Sequence, residues 1–218
     1  PAAESIERTS YREDLIFGLN YIVKWKGLLG IIIIGSLCNF FIMPTSQLLP
    51  LIITQANASA ELYATVQIVM VVGLVGTAIL LSLVGKGGRR GLLMALSQLG
   101  MGAAVLIIWL PILPVAPRLI LGGLMFGIFA CMYNISVAAI IAAEVAPEVQ
   151  GRVMAVGYSL LALASPISLA IAGPTADAVG LGPVYIFCGV LLVAMGLVIL
   201  RLPLFRSFNK PSAKEATE

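Results

Sequence analysis

Histidine is absent from this 218-residue chain, and charge is scarce: Asp, Glu, Lys and Arg make up 11% of it, against roughly 25% in a soluble domain. Without histidine no Ser–His or Cys–His pair can form, and the common zinc sites lose a principal ligand. The three cysteines, Cys38, Cys131 and Cys188, lie too far apart for a metal knuckle. Each sits in an apolar run, so they read as buried free thiols. Carboxylates are missing from the long apolar runs, which excludes an intramembrane aspartyl dyad and selectivity by rings of charge. No Lys/Arg tract is present and the net charge is only +3, so nucleic acid is not expected as a partner. No cofactor is implied. Residues 1–14 are polar and mixed in charge, where a signal peptide would need an apolar stretch.

What remains is hydrophobic: 60% of the residues. Runs of about 20 apolar residues, the length that carries a helix across the hydrocarbon core, occur six times. They cover Gly27–Ile53, Leu62–Val84, Leu92–Leu113, Leu119–Ala143, Val153–Gly173 and Val184–Leu200. None alternates polar with apolar residues as a barrel strand does. Charged residues fall outside or at the edges of the runs, as expected where a charge at mid-bilayer is costly. The chain therefore reads as an all-α integral membrane protein with six transmembrane helices in contact with membrane lipids. Residues 27–201 form the bundle, residues 1–26 a cytosolic amphipathic linker helix, and residues 202–218 a polar cytosolic tail that is expected to be disordered.

Orientation follows from the cations. Six crossings gather residues 1–26, the loops 85–91 and 144–152 and the tail on one side, with twelve of the thirteen Lys and Arg; the other side receives Arg118. Positive residues mark the cytoplasmic side, so both termini are expected to be cytoplasmic. The glycine-rich turn Gly85-Lys-Gly-Gly-Arg-Arg-Gly91 is then a topological anchor, because it lacks the spacing of a phosphate-binding loop and any strand before it. Ser10-Tyr-Arg-Glu13 has the form of a capping box, followed by Leu15, Ile16, Leu19, Ile22 and Val23 at helical spacing. Trp25 and Lys26 mark the interface, so this helix is expected to lie on the inner membrane surface.

Polar residues inside the spans must face a bundle interior or a wet cavity. The first span carries Asn39, Met43, Ser46 and Pro50 on one face, with Gln47 alongside and a second proline at Pro44. A kinked helix with an amide-bearing face suits a pathway wall, although Asn39 and Gln47 read equally well as interhelical hydrogen-bonding groups. The fourth span adds Met132, Tyr133 and Ser136. Its Asn134 shares a face with Gly123, Gly127 and Ala130, which assigns it to close helix packing. The candidate substrate-contacting set is thus Asn39, Met43, Ser46, Gln47, Met132, Tyr133 and Ser136. At the cytosolic mouth, Lys86, Arg89 and Arg90 face Glu144, Glu148 and Arg152 across the bundle and form a candidate gating set.

Several segments also resemble a known family. The basic turn after the second span, Ala146-Pro-Glu-Val-Gln-Gly-Arg-Val-Met154 leading into the fifth, and Gly173-Pro-Thr-Ala-Asp-Ala-Val-Gly180 closing it are similar to the C-terminal half of major facilitator superfamily transporters. Glu13-Asp-Leu-Ile-Phe-Gly-Leu-Asn-Tyr21 and Leu48-Leu-Pro-Leu51 look most like its drug-exporter branch, which includes macrolide efflux proteins and the enterobactin exporter. Lys86-Gly-Gly-Arg-Arg90 matches the family's loop ending R-x-G-R-R with Lys for the first Arg, and Gly85 stands where the family has an acidic residue. The resemblance implies half of a major facilitator superfamily fold, helices seven to twelve. Of these, seven and ten line the cavity while nine and twelve face lipid. It further implies a non-enzymatic exporter of hydrophobic or amphipathic small molecules in the bacterial inner (plasma) membrane, proton-coupled and working by alternating access. That mechanism needs a second six-helix half from the same chain, a second copy or another chain. The alternative is a non-transporting assembly or regulatory subunit.

Cysteines introduced at Ser59 and Ala116 are expected to react with an impermeant thiol reagent from outside sealed cells, and cysteines at Gly87 and Ser212 to stay unlabelled. Labelling at position 87 would overturn the cytoplasmic assignment.

Overall fold

A computed structural model describes residues 11–84, 90–111 and 113–203, and within them there is no strand. The eight helices are α1 (Tyr11–Lys24), α2 (Lys26–Gln47), α3 (Leu49–Gln55), α4 (Ala60–Val84), α5 (Arg90–Trp109), α6 (Val115–Glu144), α7 (Pro147–Val179) and α8 (Leu181–Arg201). Helices α2 and α3 together make one crossing, and with the remaining five long helices they give six spans long and apolar enough to cross a membrane. The fourth and fifth spans run longer than their apolar runs: α6 begins at Val115 and α7 at Pro147. Proline in the first turn starts α7, where its missing N–H is no loss.

The first span breaks where its prolines predict. Pro44 lies inside α2 and Pro50 in the first turn of α3, with Leu48 between the two helices at φ −87° and ψ −4°. Pro44 cannot donate to the carbonyl of Phe40, one turn earlier. Ser168 Oγ, from α7, donates to that carbonyl instead. Thr45 lies in the last turn of α2, where carbonyls lose their helical partners. Its oxygen accepts from Tyr185 Oη of α8. Tyr185 is fully buried and stacks on Trp109 with ring centroids 6.1 Å apart.

Helix α4 lies on α6, α6 on α5, α5 on α8, and α2 on both α7 and α8. Small residues set two of these spacings. A Cβ on Gly127 would stand 2.0 Å from the carbonyl oxygen of Met70, and one on Gly73 would stand 2.7 Å from that of Leu124, so α4 and α6 meet backbone to backbone. Gly102 and Gly189 do the same for α5 and α8. This is the close packing that lipid-embedded helices use in place of a hydrophobic drive.

Two sequence-based placements change. Helix α5, counted with the lipid-facing helices, is the most enclosed span, 61% buried against 17% for α4 and for α7. It is enclosed because α6 and α8 cover it from both sides. Helix α8 does turn a row outward, at Ile186, Phe187, Val190, Leu197 and Val198. Helix α1 is docked on α7 rather than only spread on a surface: Ile22 is buried in a cluster with Val153 and Val156, and a Cβ on Gly18 would meet Val156 Cγ2 at 2.6 Å. Its Ile16, Phe17 and Val23 remain exposed. The capping residue Ser10 lies outside the described residues, as does the tail beyond residue 203.

Tyr185→Phe and Ser168→Ala are each expected to lower stability in detergent by about 1–3 kcal/mol, the cost of leaving a buried backbone carbonyl without its donor. Thermal unfolding that leaves both variants level with the wild type would show that the broken helix needs neither partner.

Candidate functional site

A cavity of about 410 Å³ opens among α2, α6 and α7. Each helix gives it a stripe at helical spacing. Helix α2 supplies Leu28, Ile31, Ile32, Gly35 and Asn39; α6 supplies Tyr133, Asn134, Val137 and Ile141; α7 supplies Met154, Tyr158, Leu161 and Ser165. The stripes are mainly aliphatic, which suits an apolar occupant, with a few polar groups to orient it.

The two asparagines satisfy part of their hydrogen-bonding capacity at home. Asn39 Nδ2 donates to the Gly35 carbonyl at 3.2 Å, and Asn134 Nδ2 to the Ala130 carbonyl at 2.7 Å. Back-bonding of this kind shields one amide hydrogen in an apolar setting. Gly35 keeps the wall open, since a Cβ there would lie 2.7 Å from Leu161 Cδ2 and 3.6 Å from Tyr133 Oη.

Of the expected substrate-contacting residues, Asn39 and Tyr133 line this cavity, while Met43, Ser46, Gln47, Met132 and Ser136 are not among its lining residues. Ser46 and Gln47 are exposed beside the break in α2, and Met43 and Met132 are half-buried. Ser136 is buried, with Oγ donating to the Met132 carbonyl at 2.7 Å.

Asn134 is the residue placed differently. The small-residue seam exists, at Gly123 and Gly127 against α4. Asn134, two turns past Gly127, is exposed and faces the cavity instead. The contribution of α7 was also missed. Its signal was present: Tyr158 and Ser165 stand seven apart in an otherwise apolar run, with Leu161 between them on the same face.

The proposed mouth is described in part. Lys86 and Arg89 lie outside the described residues. Arg90 opens α5 and Glu144 closes α6, so the two stand at the same end of the bundle. Glu144, Glu148 and Arg152 are exposed, and the Arg152 guanidinium lies 6.0 Å above the centre of the Phe17 ring, linking α7 to α1. At the opposite end Arg118 Nη1 donates to the Trp109 carbonyl at 3.0 Å, capping the end of α5. Among the described residues no cluster of His, Cys, Asp or Glu could hold a metal.

No family model and no solved structure matches the chain. Curated proteins do. Multidrug efflux pump Tap of Mycobacterium tuberculosis is 35% identical over 139 residues, 63% of this chain and 32% of that protein. Macrolide efflux protein A of Streptococcus pyogenes is 28% identical over 189 residues, 83% of this chain and 45% of that protein. Multidrug efflux pump Tap of Mycolicibacterium fortuitum is 28% identical over 202 residues, 91% of this chain and 48% of that protein. The chain spans about a third to a half of the length of these relatives. With its six apolar helices it is therefore a multi-pass bacterial membrane protein homologous to multidrug and macrolide efflux proteins, in keeping with its resemblance to one half of a drug exporter.

Proposed function

We propose that the chain forms one six-helix half of an exporter of hydrophobic or amphipathic small molecules, and that the cavity among α2, α6 and α7 is its share of the substrate path. The observation that carries this is the cavity wall itself, aliphatic stripes interrupted by Asn39, Tyr133, Asn134 and Ser165. Such a wall desolvates an apolar body and offers a few neutral hydrogen bonds, which selects amphipathic molecules without choosing one. The names of the relatives point to the same class of cargo, drugs and macrolides.

On this reading both termini are cytoplasmic, and the residues fall into the linker 1–26, the bundle 27–201 and the tail 202–218. Transport proceeds by alternating access against a second six-helix half, supplied by the same polypeptide, a second copy or another chain. The apolar runs contain no Asp or Glu, so a carboxylate that couples export to protons belongs to that other half. Met43, Ser46, Gln47, Met132 and Ser136 would meet substrate as the helices shift, with Asn39 and Tyr133 already in place.

The charged mouth supplies a latch. Glu144 paired with Arg90 or Arg89 would favour one transport state, and at this exposed edge such a pair is worth about 0–1 kcal/mol. A bias of that size tilts a two-state equilibrium up to several-fold. Glu148, Arg152 and Lys86 belong to the same proposed gating set.

Expressed with its second half in an efflux-deficient bacterium, the protein is expected to lower accumulation of a macrolide and of a hydrophobic dye. A protonophore should abolish the effect, and Asn39→Leu and Asn134→Leu should change it several-fold at normal membrane abundance. Equal accumulation with and without the protein would end the transport reading, and activity that survives the protonophore would end proton coupling.

Glu144→Gln and Arg90→Gln are each expected to reduce export by a few-fold, and the swap Glu144→Arg with Arg90→Glu to restore it. A swap no better than the worse single change, with Arg89 tested in the same way, removes the latch.

A further inference from the structure

Two hydrogen-bond donors in the middle of the bundle have no partner. Gln98 of α5 is fully enclosed; its Oε1 accepts from the Cys38 thiol at 3.3 Å, while its Nε2 donates to no group. The Tyr133 hydroxyl of α6 is likewise buried and unpartnered, although the residue forms part of the cavity wall. Buried polar side chains nearly always find partners, so two orphans in one neighbourhood require an explanation.

Both donors lie beside one turn of α2, Tyr133 on the cavity wall and Gln98 enclosed on α5, outside the residues that line it. Cys38 holds the Gln98 amide, and Gly35, three residues earlier, is the point from which a Cβ would lie 3.6 Å from Tyr133 Oη. Three residues are about 4.5 Å of helix rise. Gly35 itself lines the cavity. The far end of Leu161 borders the same spot, 2.7 Å from where the Gly35 Cβ would be.

We propose that Gln98 Nε2 and Tyr133 Oη form a two-donor binding site for one neutral oxygen acceptor. It is a carbonyl, ether or hydroxyl oxygen of the carried molecule when the cavity is occupied, and a water when it is not. This deepens the efflux reading and rests on it. The acceptor is neutral because both donors are uncharged and no Lys or Arg lies within the apolar runs to hold an anion. A cation is disfavoured by two N–H and O–H dipoles pointing their positive ends at it. The Leu161 methyl covers the approach and swings aside to admit the oxygen past Gly35, whose missing side chain leaves the opening. Asn39 and Asn134, each holding one hydrogen on its own helix, orient the rest of the molecule.

The test uses the complete protein in lipid nanodiscs with two probes: prodan, a neutral naphthyl ketone, and its analogue with the ketone reduced to methylene. Tyr133→Phe and Gln98→Met are each expected to weaken prodan binding about fivefold, the worth of one neutral hydrogen bond, and to leave the methylene analogue unchanged. Gly35→Ala, which covers the approach and removes no polar group, should act the same way. Tyr133→Phe and Gln98→Met should unfold at the wild-type temperature or above, because each removes a buried donor together with the exchangeable water it holds. Prodan binding unaffected by either change, equal weakening of both probes, or a lowered unfolding temperature would overturn the site. If the wild type binds neither probe saturably, the efflux reading fails and the site with it. Hydroxyl-radical labelling in oxygen-18 water separates the two occupants. Tyr133 should be labelled in the ligand-free protein and protected by prodan. An unlabelled Tyr133 rules out the water, and labelling indifferent to prodan rules out the carried molecule.

Discussion

In a bilayer every backbone carbonyl must find a donor inside the protein, and the architecture turns on how the first span meets that demand. Pro44 interrupts the helical ladder and releases the carbonyl of Phe40, and the end of α2 leaves that of Thr45 without a helical donor. The donors come from different helices, Ser168 on α7 and Tyr185 on α8. One local defect thus fixes the relative height of three spans. A straight first span would have closed its own ladder and left those two side chains searching for partners of their own.

Close glycine contacts determine the rest of the bundle. Where α4 meets α6 and α5 meets α8, backbones touch and leave no room for a molecule. Where α2, α6 and α7 converge, larger side chains hold the helices apart and a cavity results. The site is therefore the place where small residues stop meeting small residues. Gly35 is the informative case, because its neighbours are side chains and its missing Cβ opens a space instead of drawing two backbones together.

The fold was legible because hydrocarbon thickness and proline chemistry act locally: six apolar runs, a break near Pro44 and Pro50, and polar residues gathered on the first and fourth spans. The site was legible only in part. Asn39 and Tyr133 line the cavity, but Asn134 shares a helical stripe with Gly123 and Gly127, and periodicity cannot say where along a stripe a neighbouring helix stops covering it. Helix α4 covers the glycines and leaves the asparagine open. The burial of α5 was hidden for a related reason. A run of small and aliphatic residues looks alike against lipid and against helices, and only the arrangement of neighbours tells them apart.

The link between Ser168 and the Phe40 carbonyl also has a mechanical side. It joins α2 to α7 between two cavities of similar size: one reaches from Leu28 to Asn39 along α2, the other takes in Phe40, Phe41 and Pro44 with Ile171 and Phe187. Tyr185 ties the piece of α2 beyond Pro44 to α8. A tilt of that piece must carry α8 with it or expose the bare Thr45 carbonyl to hydrocarbon. The helix is thus clamped to α7 on one side of Pro44 and to α8 on the other, so a bend at the proline shifts α7 against α8, and the cavities to either side of the α7 clamp feel it together.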